Sequence, residues 1–91
     1  MSPSIQHDST ARCFSKCVDG ADCLLEYELA DSVMTITHTE VPAALGGRGI
    51  AGELVQSALD TARTKGWRVV PVCSYAAAWI KRHPAYADLQ A

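Results

Sequence analysis

Long apolar runs are missing from this chain, and none approaches the roughly 20 residues that a membrane-spanning helix needs. A charged-then-apolar start of the kind that directs secretion is missing as well. Basic residues are sparse: eight Lys and Arg stand against ten Asp and Glu, for a net charge of −2. They form no cluster, which argues against nucleic acid or an anionic membrane as the main partner. Cys13, Cys17, Cys23 and Cys73 include no C-x-x-C pair. His7, His38 and His83 are not spaced around them as in common zinc sites, so no metal is expected. There is no internal repeat, low-complexity tract or linker. These absences leave a cytoplasmic protein with free thiols as the expectation. If residues 11–18 form a strand, Cys13 and Cys17 share a face with Cα atoms about 13 Å apart, too far for a disulfide. Cys17 and Cys23 could meet across a hairpin, although a reducing compartment favours thiols there too.

What is present fits one small domain covering residues 1–91, with 48% hydrophobic and 20% charged residues. Met1 to Gln6 reads as a loose start. From about Ala11 to Val18 a short pattern places Phe14 and Val18 on one face, and Asp19-Gly20 is a strong hairpin turn. In the next strand Cys23, Leu25, Tyr27 and Leu29 alternate with Leu24, Glu26 and Glu28, one face apolar and the other more polar. Asp31-Ser32 turns the chain again. Val33 to Glu40 is rich in β-branched residues, and strict alternation puts Met34, Ile36, His38 and Glu40 on one side. The period then changes. Ile50, Leu54, Ala58 and Ala62 recur every four residues with Val55 and Leu59 beside them, which describes an amphipathic helix. Glu53 suits its positive end, Arg63 and Lys65 its negative end, and Gly66 its C-terminal cap. Trp67 to Val72 reads as a buried strand, parallel to Val33–Glu40 because a helix intervenes. Ser74 is placed to cap a second helix from Tyr75 to about His83, with Tyr75, Ala76, Trp79, Ile80 and His83 on its inner face and Pro84 as its stop. Tyr86 and Leu89 should fold the tail back.

Between the third strand and the first helix runs Glu40-Val41-Pro42-Ala43-Ala44-Leu45-Gly46-Gly47-Arg48-Gly49-Ile50-Ala51. Its glycines let several backbone N–H groups turn inward, and the helix that starts there adds unpaired amides and the positive end of its dipole. The stretch is a candidate anion cradle for phosphate or pyrophosphate, and equally a plain glycine-rich turn.

The order of elements resembles the central part of the GNAT superfamily of acyl-CoA-dependent acyltransferases: an α/β (α+β) fold with an antiparallel three-stranded meander, a helix, a parallel fourth strand and a second helix. Four runs resemble the minimal, roughly ninety-residue GNAT-like N-acetyltransferase family: His38-Thr39-Glu40-Val41-Pro42, Gly47-Arg48-Gly49-Ile50-Ala51, Pro71-Val72-Cys73-Ser74-Tyr75 and His83-Pro84-Ala85-Tyr86. Ala44 stands where Gln or Arg is usual in the superfamily loop, and Trp79 where Tyr is usual in the small family. The resemblance implies that acetyl-CoA is the cosubstrate. Amides from Leu45, Gly46, Gly47, Arg48, Gly49 and Ile50 would hold its pyrophosphate, and the main chain at Glu40 and Val41 would pair with the pantetheine arm. It also implies a general base on the third strand, for which His38 and Glu40 are the candidates.

Cys73 stands just before the second helix, where the helix amides favour thiolate over thiol. It is a candidate nucleophile forming an acetyl-cysteine intermediate, or else a small buried thiol in a tight turn. Tyr75 is a candidate proton donor to the departing CoA thiolate. Compared with full-size members the chain is truncated, so its acceptor site must be open, or completed by another subunit, as in a homodimer, or by a partner. The acceptor itself, a small amine or a protein, is not named by any residue. A CoA-binding module with little catalysis and a small interaction protein are the competing expectations.

Overall fold

Val33–Glu40 is the strand on which both halves of the chain converge. In the computed structural model, which describes residues 5–47 and 49–91, the sheet has five strands in the order β1 (Gln6–Asp8), β2 (Cys13–Val18), β3 (Ala21–Ala30), β4 (Val33–Glu40) and β5 (Arg68–Pro71). Neighbours are antiparallel except β4 and β5, which run parallel as the crossover requires. β1 is an addition to the expected four strands and begins where a loose start was expected, while residues 1–4 lie outside the described residues. It is held by His7, whose ring stacks on Phe14 at 4.1 Å and whose Nε2 meets the Tyr27 hydroxyl at 2.6 Å.

Both hairpin turns put two consecutive residues in the left-handed region, Asp19 and Gly20 at φ 52° and 78° and Asp31 and Ser32 at 52° and 63°. That is the backbone of a type I′ turn, whose twist matches the flanking strands. Helix α1 (Ile50–Lys65) follows β4, and helix α2 (Ser74–Arg82) follows β5. Gly66, at φ 73°, caps α1 by giving its amide to the Ala62 and Arg63 carbonyls, as the sequence suggests. Cys73, not Ser74, is the residue before α2, and Ser74 is the first helical residue.

One face of the sheet carries Phe14, Cys23, Leu25, Tyr27, Met34, Ile36 and Val69, and both helices pack on it through Leu54, Val55, Leu59, Trp79 and Ile80. Each large side chain buried there contributes roughly 1.5–3 kcal/mol. The expected inner face of α2 holds for Ala76, Trp79 and Ile80, with Tyr75 half-buried; His83 is exposed yet stacks on Trp79 at 3.7 Å. Lys16 also points inward, between Phe14 and Val18, and is buried because its ammonium meets Glu53 Oε1 of α1. The opposite face, with Leu24, Glu26, Glu28, Thr35 and Val70, is half-exposed or exposed.

After α2 the chain makes a 3-10 segment, Pro84–Leu89, that folds back as expected. Tyr86 donates its hydroxyl to Asp60 at 2.8 Å, Arg63 grips Asp88 and the Ala85 carbonyl, and Leu89 is buried. Gln90 then forms a single parallel bridge to Val69. The four cysteines are free, and Cys17 and Cys23 do not face each other: Cys17 pairs with Asp22 and Cys23 with Lys16.

Candidate active site

β4 changes character at Thr37. Up to Ile36 it is bonded on both sides, to β3 and, through Ile36↔Pro71, to β5. The β3 register then slips: Tyr27 faces Ile36 but Glu26 faces His38, so Thr37 is an extra residue in a β-bulge. A bulge bends the strand that carries it, and beyond this point β5 has left β4. The last link is the Cys73 amide, which donates to the Ile36 carbonyl at 2.9 Å. From Thr37 onward the β5-facing edge of β4 therefore borders a gap that no strand of the described residues fills.

The bulge also corrects the facing of the strand. Alternation predicts His38 and Glu40 on the side of Met34 and Ile36, but one inserted residue moves them to the other face. Glu26 and Leu24, their partners across the sheet, lie on the outer face, and Thr39 takes the inner position opposite buried Leu25. His38 and Glu40 still lie together, with Nε2 and Oε1 3.2 Å apart, and both are exposed. Thr39 was not singled out by sequence, because nothing in Thr35-Ile36-Thr37-His38-Thr39 marks where the extra residue sits. It lies beside Cys73, whose Sγ–H donates to Thr39 Oγ1 at 3.5 Å.

Cys73 is half-buried at the N-terminus of α2, with extended backbone (φ −62°, ψ 125°). Partial burial alone pushes its thiol up. The Thr39 side chain and the backbone amides of Ala76 and Tyr75 outweigh burial and bring it below the ordinary thiol range, although the sulfur makes no capping hydrogen bond. Cys13 and Cys23, by contrast, are pushed up, chiefly by burial.

The loop between β4 and α1 begins with a 3-10 turn, Ala43–Leu45, that plugs the Leu45 side chain into the core. The Leu45 amide donates to Pro42 and the Gly46 amide to Ala43, so these two members of the expected cradle are engaged within the turn. Arg48 lies outside the described residues. Gly47 and Gly49 sit at φ 85° and 76°, a conformation open to glycine, and Gly49 precedes α1 without any side-chain cap. The first intrahelical bond of this turn is Glu53 N–H to the Gly49 carbonyl, so the amides of Gly49, Ile50, Ala51 and Gly52 are the helix's orphan donors. Val41 is half-buried against the core between this loop and the open edge of β4.

Beside the loop is an open pocket of about 390 Å³ between the first turns of α1 and the inner face of α2. Gly49, Gly52, Gln56, Tyr75, Trp79 and Arg82 are among its walls. Gly52 lets the helices approach: a Cβ there would stand 3.1 Å from Trp79 Nε1 and 3.4 Å from the Tyr75 hydroxyl. Tyr75 thus turns its phenol toward the start of α1. Trp79, where the resemblance led to the expectation of a phenol, carries an indole N–H, a donor that does not release its proton near neutral pH. The structure brings Cys73, Thr39 and the end of β4 together, sets the glycine loop and Tyr75 around the pocket, and leaves His38 and Glu40 on the outer face.

Comparisons with known proteins bear on the fold and the family. A family model described as GCN5-related N-acetyl-transferase matches residues 13–89. The chain belongs to this family. Protein NATD1 of Mus musculus is 36% identical over 84 residues, covering 88% of this chain and 76% of the mouse protein, and protein NATD1 of Danio rerio is 32% identical over 89 residues, covering 92% and 81%. The NMR structure of a GCN5-like protein from Staphylococcus aureus superimposes with a TM-score of 0.78 at 25% identity, covering all of this chain and 91% of that one. In this GNAT-like fold the five-stranded sheet contains the meander and parallel strand read from the sequence, with β1 added at its edge.

Proposed function

We propose that the protein is an N-acetyltransferase that binds acetyl-CoA along the open edge of β4 and passes the acetyl group through Cys73 to an amine. The observation that carries this reading is the gap between β4 and β5, which has an amide-rich helix start at one end and the half-buried Cys73 thiol, bonded to Thr39, at the other. The cradle narrows to the amides of Gly47, Gly49 and Ile50, continued by Ala51 and Gly52, facing the pyrophosphate, with Arg48 adding charge. Glu40 and Val41 offer main-chain groups to the pantetheine amides.

In the first step the Cys73 thiolate attacks the thioester carbonyl, a carbon–sulfur bond to Cys73 forms, and the bond to the CoA sulfur breaks. The departing sulfur takes a proton, for which Tyr75, opening on the pocket, is the candidate donor. In the second step the amine attacks the acetyl-cysteine, returning the thiolate and losing a proton to a base. His38 and Glu40 lie on the face of the sheet opposite Thr39 and Cys73, so the amine's proton passes to water at the open end of the gap rather than to them. The open gap leaves room for a small amine, a protein side chain or a residue of a second subunit. Free thiols suit a reducing compartment, and we place the protein in the cytoplasm.

The test is intact-protein and peptide mass spectrometry after incubation with acetyl-CoA. We expect one acetyl adduct on Cys73, absent from Cys73→Ala while acetyl-CoA binding is retained. An adduct that persists in Cys73→Ala would clear this thiol of the role. Binding without any adduct or turnover would reduce the protein to a CoA-binding module.

A further inference from the structure

We infer that Thr39 is the positioning residue of Cys73, holding its sulfur at the point where β4 and β5 part and stabilising it in the charged form. The inference rests on the reading of Cys73 as nucleophile, but its geometry stands without it. The bulge at Thr37 is what turns Thr39 inward, opposite Leu25, while its neighbours His38 and Glu40 face outward. Were the register regular, with Thr37 opposite Glu26, alternation would point Thr39 away from the helices and leave Cys73 without this partner.

Two contacts from one strand then pin Cys73. The Ile36 carbonyl accepts its amide at 2.9 Å, and the Thr39 hydroxyl lies 3.5 Å from its sulfur. In the thiol form Sγ–H donates to Oγ1. When the proton leaves, the hydroxyl can rotate and donate to the sulfur instead, a hydrogen bond to a charged acceptor and therefore the stronger of the two. The groups that act on the sulfur are Thr39 from β4 and the amides of Tyr75 and Ala76 from α2. Pro71 at the end of β5 and Val72 after it carry no charge. The titratable side chains along β4, His38 and Glu40, occupy the other face and bond to each other. Thr39 is therefore the side chain on β4 through which the bulge acts on the thiol.

The test is the pH dependence of Cys73 alkylation by iodoacetamide, followed by peptide mass spectrometry so that Cys13, Cys17 and Cys23 are read separately. Thr39→Val keeps the β-branched shape and removes the hydroxyl; we expect its midpoint to rise by about one pH unit, the scale of one hydrogen bond to a charged group. Below the midpoint that corresponds to about tenfold slower alkylation at fixed pH. Thr39→Ser retains the hydroxyl and should keep the wild-type midpoint. An unmoved midpoint in Thr39→Val, or an equal rise in Thr39→Ser, would overturn the assignment. Because alkylation needs no acetyl-CoA, an absent acetyl adduct would count against the transfer reading alone, and an unmoved midpoint against Thr39 alone.

Discussion

Val33–Ile36 and Thr37–Glu40 are two halves of one strand, alike in composition and unlike in surroundings. The first half is bonded to strands on both sides, buries Met34 and Ile36, and runs regularly. The second carries a bulge, has a strand on one side only among the described residues, and exposes Thr37, His38 and Glu40. A single extra residue separates them. Along the first half the backbone groups are taken up by the sheet, so it can only hold the fold. Along the second, no strand pairs on the β5 side among the described residues, and Thr39 lies beside Cys73. Stability and the proposed chemistry are thus divided along one chain segment, within hydrogen-bond reach of each other.

Substitutions in the two halves should separate stability from binding. The largest effect is expected for Ile36→Ala, which leaves a cavity beneath both helices and should cost about 2–5 kcal/mol, measured by urea unfolding. A loss well below that range would mean that the paired half is not the anchor. Next is Gly47→Glu. Space for the side chain exists, since nothing lies within 4 Å of a Cβ built there, but φ is 85°. Left-handed strain of about 1–2 kcal/mol should lower stability without unfolding the protein, while the carboxylate abolishes acetyl-CoA binding in calorimetry. Unchanged affinity would remove the pyrophosphate assignment from the loop. The smallest and sharpest is deletion of Thr37. Removing the extra residue keeps Thr39 inward and His38 and Glu40 outward, but straightens the strand and narrows the gap. The variant should fold and bind acetyl-CoA on the order of tenfold more weakly, the scale of one lost main-chain hydrogen bond. Full affinity after the deletion would show that the bulge does not create the binding edge.

Elements that bury one regular face were legible in the sequence. The bounds of β4, the start of α1 and its Gly66 cap coincide with the reading, because alternation, the four-residue period and a left-handed glycine each leave a direct mark. β1 left none: Gln6-His7-Asp8 is three exposed residues whose pairing depends on His7 meeting Phe14 and Tyr27. Lys16 was not singled out, because its partner Glu53 is far along the chain. The bulge was the costliest omission for the site. A run in which Thr, Ile and His alternate accepts an extra residue with no change in composition, so His38 and Glu40 were set on the wrong face and Thr39 was passed over. Cys73 and the glycine loop could be named as candidates because the chemistry proposed for them depends on residue type and on a helix start, both of which are local. The engagement of Leu45 and Gly46 within the 3-10 turn depends on how the loop closes on Pro42 and Ala43, which residue type alone does not determine.

The most direct measurement is a calorimetric titration of the wild-type protein with acetyl-CoA. The account predicts saturable binding at one site per chain. A flat titration at concentrations where the protein is folded would contradict it, leaving a family fold whose open strand edge serves no acyl-CoA.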